Sequence, residues 1–303
     1  MAKVVLIGTG NVGMSFAYSL VISRNKVSEL VLIDINKAKA EGEAMDLIHA
    51  AVYNTGRVRV RAGEYLECAD ADIICICAGA AQLPGETRRD LVQKNTAVFK
   101  NIIEQVNKTK FKGIYLIATN PVDVMTQVTQ KLSGLPHHRV IGSGTTLDTA
   151  RLRYMLAKLL SAHPRNAFAY VVGEHGDSSF IPWSISRLGP NALGEHVTAQ
   201  QKNQLLNDVR RSAYEIIERK GSTHFGIGVM LHDIVDTILE DSKEVKPVSV
   251  FDLTHGIYIG LPSIVGRDGV ISILNLQLNE SEQTQMAQSV KAIRETWEET
   301  GLA

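Results

Sequence analysis

The chain has no excess charge of either sign: 32 Lys and Arg face 32 Asp and Glu among 303 residues, so the formal net charge is zero. That balance excludes a protein that binds polyanions through its overall field. Cysteine is scarce too. Three residues, clustered at Cys68, Cys75 and Cys77, argue against a disulfide framework and point to a reducing compartment. Cys75 and Cys77 lie two apart in the apolar run 73–78, on one face of an expected strand, and read as packing because the run has no partner ligands for a metal. No metal site is expected. No apolar run approaches the ~20 residues of a membrane helix. Met1-Ala2-Lys3 leads directly into Val4–Gly8, which leaves no room for the regions of a signal peptide. A soluble, cytoplasmic protein is expected.

What is abundant is apolar material, 45% hydrophobic against 21% charged, enough for one large or two medium domains. The first half alternates short β-rich runs with amphipathic stretches. Strands are expected at 3–7, 29–35, 58–62, 72–78, 113–119 and 139–141, and six strands with helices between them imply an α/β, doubly wound parallel sheet. Alternating Arg57, Arg59 and Arg61 suit a guarded edge strand, since charges on an exposed edge discourage pairing with other chains. After about Gly142 the texture changes to long helices, then short strands punctuated by Gly and Pro, then a last helix. This divides the chain into 1–142 and an α+β part, 143–303, with a broad interface between them. Met286, Val290, Ile293 and Trp297 recur at helical spacing behind Ser281 and Glu282, and read as core.

Gly8-Thr9-Gly10-Asn11-Val12-Gly13 follows the first strand and opens a helix. The first glycine permits the turn, the second lets backbone approach a pyrophosphate, and the third lets helix and strand pack closely. Asp34 ends the second expected strand, where an acid accepts hydrogen bonds from an adenosine ribose and repels a 2′-phosphate. NAD is therefore expected rather than NADP. Asn11 is able to cap the helix instead of touching a ligand.

Gly173-Glu174-His175-Gly176-Asp177 follows the apolar run 169–172, placing a histidine at an expected strand end. Asp148 and Arg151, three apart on the helix expected after Gly144, project from one face toward the same cleft. A carboxylate on one imidazole nitrogen fixes the tautomer and favours the protonated form, giving an acid/base usable near neutrality. A guanidinium grips a carboxylate through two parallel hydrogen bonds, so Arg151 suits an organic acid.

On these residues, and on 79–95 (GAAQLPGETRRDLVQKN), 118–124 (ATNPVDV), 140–153 (VIGSGTTLDTARLR), 173–177 (GEHGD) and 220–226 (KGSTHFG), the sequence resembles the NAD-dependent L-lactate and malate dehydrogenase family, most closely its bacterial L-lactate members, over essentially the whole chain. The resemblance implies a Rossmann domain followed by an α+β substrate domain. It implies that His175 is the base for hydroxy-acid oxidation and the acid for keto-acid reduction, oriented by Asp148. Arg151 then binds the substrate carboxylate, Arg88 polarises the keto oxygen from a lid loop, and Asn120 hydrogen-bonds near the reacting oxygen. Thr223 backs the substrate pocket, Ile227 lies beneath the nicotinamide, and Ser143 contacts its carboxamide.

Gln82 stands where malate-specific members carry an Arg. It is neutral and Glu86 adds a negative charge nearby. Burying an unpaired charge costs about 3–5 kcal/mol, so oxaloacetate is expected to lose to pyruvate by several hundredfold or more. An apolar pocket excludes an extra methylene by only ~1–3 kcal/mol, so bulkier 2-oxo acids such as 2-oxoisocaproate are the nearest alternative, ahead of malate dehydrogenase and of a non-catalytic NAD-binding protein. Many bacterial relatives are activated by fructose 1,6-bisphosphate through an Arg and a His. Here Arg153 is present but Phe168 holds the histidine position, so little or no activation is expected. A homotetramer is implied, with a dimer as the alternative, and no nucleic-acid or membrane partner is expected.

Overall fold

The structure, a computed structural model, describes residues 2–52, 58–80 and 87–302. Gln82 and Glu86 therefore lie outside the described residues, as do Arg57 and the side chain of Arg88.

Residues 2–142 fold as alternating strands and helices: β1 (Ala2–Ile7), α1 (Asn11–Ile22), β2 (Val27–Ile33), α2 (Lys37–Ala51), β3 (Arg59–Ala62), β4 (Ile73–Ile76), α3 (Arg88–Lys108), β5 (Ile114–Ile117), α4 (Val122–Ser133) and β6 (Val140–Gly142). All six strands pair in parallel, in the order β3-β2-β1-β4-β5-β6. The inner strands read as continuous apolar runs because helices cover both faces: β4 (Ile-Ile-Cys-Ile) and β5 (Ile-Tyr-Leu-Ile) are buried at every position. The winding reverses between β1 and β4, and a crevice forms there outside the carboxyl ends of the strands. This is the Rossmann arrangement, and the glycine-rich turn after β1 lies at that crevice. As expected, β3 is the sheet edge. Its arginines are ion-paired rather than merely solvated, with Glu29 held by both Arg59 (2.9 Å) and Arg61 (2.8 Å).

The second part is expected as long helices, then short strands, then a last helix. It contains α5 (Thr146–Leu159), a small three-stranded sheet of β7 (Ala167–Phe168), β8 (Arg187–Leu188) and β9 (Asn191–Ala192), then α6 (Ala199–Lys220) and α7 (Phe225–Glu240). Three antiparallel strands follow, β10 (Glu244–Asp252), β11 (Ile257–Gly266) and β12 (Gly269–Ile273), and then α8 (Glu280–Glu298). Instead of short strands, β10 and β11 run 9 and 10 residues. They extend the parallel sheet into one nine-stranded sheet through the register pair Ser249–Gly142. Gly142 permits the join, because a Cβ there would lie 2.8 Å from the Ser249 Cβ and 2.4 Å from Thr126 Oγ1.

Two further packing features position the site. On α7, Gly228 lies against α1 so closely that a Cβ would fall 2.7 Å from the Ser15 carbonyl carbon. On α8, Val290 and Ile293 are buried with Met286 and Trp297 packed beside them, as the helical spacing requires. The cap residue of α8 is Asn279, whose side chain forms a reciprocal capping box with Glu282, two residues before the expected Ser281.

Candidate active site

The cofactor side is built by three glycines with three different surroundings. Gly8 has φ +101° and would bring a Cβ to 2.4 Å from the Ala78 backbone nitrogen, so the turn after β1 passes hard against the end of β4. Gly13 would place a Cβ 2.1 Å from the Gly8 carbonyl oxygen, which fixes α1 on its strand. Around Gly10 nothing lies within 4 Å of where a Cβ would stand. The backbone at the head of α1 thus faces open space, and a diphosphate fits a cradle of that kind at the positive end of a helix.

Gly8 and Gly10 line a cleft of about 670 Å³ that also takes in Asp34, Ile35, Tyr65 and Cys77, a size suited to a small ligand or cofactor fragment. Asp34 follows directly on β2. It accepts hydrogen bonds from the Thr9 N–H (2.8 Å), the Thr9 hydroxyl (2.9 Å) and the Asn36 N–H (3.0 Å). Partial burial opposes its charge, yet these donors hold the carboxyl below the usual range, leaving an anion at the cleft wall. Cys77 is not in a strand, since β4 ends at Ile76. Its sulfur lies 3.8 Å from that of buried Cys75.

Asn11 does not cap α1. Gly10 is the cap residue and makes no side-chain cap bond, while the Asn11 amide donates to Ser222 Oγ at 3.2 Å. That contact ties the glycine turn to the α6–α7 loop, where half-buried Thr223 lies. Val12 and Ile227 pack against the sheet core. Ser143 is buried just beyond β6, its N–H donated to the Ile117 carbonyl at 2.8 Å.

On the substrate side, α5 presents Asp148 and Arg151 one turn apart, as their spacing requires. Both contact through the same carboxylate: Arg151 Nη1 donates to Asp148 Oδ1 at 2.9 Å, and His175 Nδ1 lies 2.6 Å from Asp148 Oδ2. Nδ1 is thereby committed to the carboxylate, and Nε2 is the nitrogen left to meet a ligand. Burial opposes the imidazolium, but the charge and hydrogen bond of Asp148, helped by the charge of Asp123, pull the ring up to about 9. The protonated form is favoured, as expected, and more strongly than a group titrating near neutrality. Asp148 is buried as well, yet His175 and Arg151 hold its carboxyl below the ordinary value.

His175 does not stand at the end of a regular strand. Residues 169–172 lie beyond β7, and among the described residues the ladder contacts nearby are two isolated bridges, Val172 with Phe180 and Gly173 with Gly260. The reason is that hydroxyls take the place of a neighbouring strand. Thr149 Oγ1 accepts the Val171 N–H (3.0 Å) and Thr145 Oγ1 donates to the Val171 carbonyl (2.6 Å). The result suspends the 173–177 loop directly over the start of α5.

Asn120 is exposed and precedes the cis peptide to Pro121. Its carbonyl accepts from Asn95 Nδ2 at 2.8 Å. Arg88 opens α3, but its side chain, like Gln82, lies outside the described residues. The first turn of α7 approaches through Gly226, where a Cβ would lie 2.8 Å from the side chain of Leu147, the neighbour of Asp148. Arg153 faces away from this centre. Its Nε donates to the Ala169 carbonyl (3.1 Å), its guanidinium sits 4.9 Å from the Tyr170 ring centre, and Phe168 nearby is exposed. Among the described residues, no group of three or more His, Cys, Asp or Glu is placed to hold a metal, and no helix is long and apolar enough to cross a membrane.

One residue escaped the sequence reading. Asp123, in the first turn of α4, is buried and accepts the backbone N–H of His175 at 2.8 Å and the Ser249 hydroxyl at 2.5 Å. Its only signal is an acid amid the apolar Val122, Val124 and Met125.

Comparison with known proteins agrees with this geometry. Residues 2–142 match the lactate/malate dehydrogenase NAD binding domain, and residues 145–301 match the lactate/malate dehydrogenase alpha/beta C-terminal domain. L-lactate dehydrogenase 2 of Bacillus cereus is 48% identical, covering 97% of this chain and 96% of its own. L-lactate dehydrogenase of Bacillus velezensis is 45% identical, covering 97% and 95%. The ligand-bound minor L-lactate dehydrogenase of Enterococcus mundtii superposes with a TM-score of 0.94 at 40% identity, covering 100% of this chain and 99% of that one. With a doubly wound cofactor domain, a glycine cradle facing an acid-lined cleft, and two domain matches that together span nearly all its residues, this chain belongs to the NAD-dependent lactate/malate dehydrogenase family.

Proposed function

We propose that the protein is a cytoplasmic L-lactate dehydrogenase, interconverting pyruvate and L-lactate. The observation that carries this reading is the sharing of one carboxylate: Asp148 holds a proton-bearing imidazole on one oxygen and a guanidinium on the other. A 2-oxo acid has its keto oxygen and its carboxylate on adjacent carbons, so it needs a proton donor and a cation side by side, and little else. In reduction, His175 Nε2 gives its proton to the keto oxygen; in oxidation it takes the hydroxyl proton. Arg151 holds the substrate carboxylate, and Asp148 keeps the ring oriented and stabilises its charged form. Arg88 polarises the keto oxygen and Asn120 hydrogen-bonds beside it, Thr223 backs the side-chain pocket, and the neutral Gln82 discriminates against a second carboxylate.

Bound NAD supplies the hydride acceptor, and its reduced form the donor. Gly8, Gly10, Asn11, Val12 and Gly13 form its diphosphate turn, Asp34 takes the ribose, and Ser143 and Ile227 serve the nicotinamide end. The division of labour falls at residue 142, with residues 1–142 holding the cofactor and 143–303 most of the substrate machinery. We extend the reading to a homotetramer. Exposed apolar side chains on α1 (Tyr18, Ile22), α2 (Met45, Ile48) and α7 (Phe225, Val229) offer surface for a second copy to cover, and sedimentation counts the subunits.

The test is NADH oxidation with pyruvate, oxaloacetate and 2-oxoisocaproate as alternative substrates. Pyruvate is expected to give the highest kcat/KM. A preference for oxaloacetate defeats the argument from Gln82, a preference for 2-oxoisocaproate reassigns the pocket to bulkier acids, and no turnover with any of them leaves a binding protein.

A further inference from the structure

The geometry points to Asp123 as a second carboxylate that positions His175, acting on its backbone while Asp148 acts on its ring; we propose that Asp123 and Ser249 together form a clamp that holds the acid/base in register with the Asn120 segment. This rests on the catalytic reading of His175 given above.

Two chain segments that are remote in sequence converge on this one side chain. Asp123 Oδ2 accepts the His175 N–H at 2.8 Å across 52 residues, and Oδ1 accepts the Ser249 hydroxyl at 2.5 Å across 126. Asp123 itself follows Asn120 by three residues, so the bond to His175 ties the 173–177 loop to the loop that presents Asn120. Ser249, fully buried, is the β10 residue paired with Gly142, at the seam where the parallel sheet meets the antiparallel strands. A carboxylate inserted there fixes the His175 backbone relative to both halves of the sheet.

Regular ladder contacts do not explain that fixation. Among the described residues the loop has two isolated bridges before it, Val172–Phe180 and Gly173–Gly260, and the Gly176 N–H turns back onto the Glu174 carbonyl at 2.9 Å. Without Asp123 the half-buried His175 N–H would want an acceptor, and donors withdrawn from water are paired in folded proteins. A side-chain amide would suffice to satisfy it. A carboxylate does something more, because it also places a negative charge near the imidazolium.

Among the described residues, the charged groups acting on His175 are Asp148 and Arg151 from α5 and Asp123 from α4, and Glu174 in the same loop acts on Asp123. Asp148, Asp123 and Arg151 act on its proton affinity, Arg151 opposing the two carboxylates. Burial, together with Glu174, pushes the Asp123 carboxyl up to about 6, against the two hydrogen bonds and the charge of His175. Above that pH Asp123 is an anion and adds to the affinity of His175 for its proton.

Asp123→Asn separates the two roles. An amide oxygen still accepts the His175 N–H, and the amide nitrogen still meets Ser249, but the charge is gone. In the full-length protein we expect the His175 ring, followed by NMR between pH 6.5 and 10, to lose its proton at a lower pH than in the wild type. The high-pH limb of kcat/KM for pyruvate should move the same way, with the KM for pyruvate at pH 7 within about threefold. Asp123→Ala removes the anchor as well, and a displacement of the order of 1 Å in the acid/base lowers kcat about 10²-fold. Ser249→Ala, which keeps the bond to His175, should show a smaller loss with the pH limb unmoved.

A lesion that is merely structural lowers the rate equally at all pH values and leaves the ring titration in place. Unchanged titration in Asp123→Asn, or Asp123→Ala within twofold of wild-type kcat, overturns the proposal. Wild-type protein inactive toward all three keto acids sinks the catalytic reading instead, and the NMR titration still decides whether Asp123 acts on His175.

Discussion

The sharpest consequence of the shared carboxylate concerns Asp148→Asn. In the native protein His175 is pulled up to about 9 from an ordinary 6.5. Burial, the largest influence, and Arg151 both oppose the protonated ring, so Asp148 is the group that reverses their effect. Without its charge the ring returns to about 6.5 or lower, Asp123 notwithstanding. At pH 8 the protonated fraction then falls from about 0.9 to about 0.03, a loss of about 30-fold, whereas at pH 6 it falls by less than about 1.5-fold. A second penalty comes from geometry. An asparagine cannot present acceptors to both the His175 ring Nδ1–H and Arg151, so the ring loses its fixed tautomer and Arg151 its partner. Neither effect depends on pH over this range, because the guanidinium never titrates there.

The two contributions are therefore separable in one assay. With NADH saturating, kcat/KM for pyruvate is measured from pH 6 to pH 9 in both proteins. The ratio of wild type to variant should be large at every pH, because of the geometry, and should rise by about 20-fold between pH 6 and pH 8, because of the charge. Lactate oxidation, which needs the neutral ring, should lose less on raising the pH. A ratio that stays flat across the range would refute the assignment of His175 as the proton donor held by Asp148. The same linkage bears on stability. A histidine whose folded value is raised stabilises the native state fully below 6.5 and loses that contribution as the pH rises through about 9.

Other outcomes follow from single sites. Gly10→Ala should melt close to the wild type, since nothing lies within 4 Å of the new methyl, yet bind NADH at least tenfold more weakly by calorimetry because that methyl stands in the diphosphate cradle. Gly13→Ala should do the reverse first, losing about 1–3 kcal/mol of stability in denaturant melts because its Cβ overlaps the Gly8 carbonyl. Arg151→Gln should raise the KM for pyruvate by about 10- to 100-fold, the equivalent of ~1.5–3 kcal/mol for charged hydrogen bonds, while leaving NADH binding nearly unchanged. Fructose 1,6-bisphosphate should leave the KM for pyruvate unaltered, because Phe168 offers phosphate no donor and Arg153 is engaged with the Ala169 carbonyl and the Tyr170 ring; a large fall in KM on adding it would contradict this.

Much of this was legible in the residues because the physics involved is local. Parallel strands covered on both faces must be apolar throughout, so the inner strands announced themselves, while the edge strand β3 showed itself by its alternating arginines. Their expected ends ran long where the chain stays apolar beyond the last ladder bond: Cys77 and Ala78 continue the texture of β4 but line the cleft. The pairing of Asp148 with Arg151 follows from one helical turn, and the glycine turn from the fixed needs of a strand-to-helix corner.

What stayed hidden depends on partners far away in the chain. The run 169–172 has strand texture, yet Thr145 and Thr149 supply the bonds that a strand would have made, and no periodicity reveals a hydroxyl substituting for a neighbour. The fusion of two sheets into one turns on a single glycine, Gly142, whose missing side chain means nothing until Ser249 is beside it. Asp123 belongs to the same class. A buried acid among valines looks like an anomaly of α4 alone, and acquires a role only when His175 and Ser249 arrive from 52 and 126 residues away. Groups that meet a ligand carry recognisable chemistry in their own side chains. Groups that hold those side chains in place are defined by contacts, and a single sequence read in order has the least access to them.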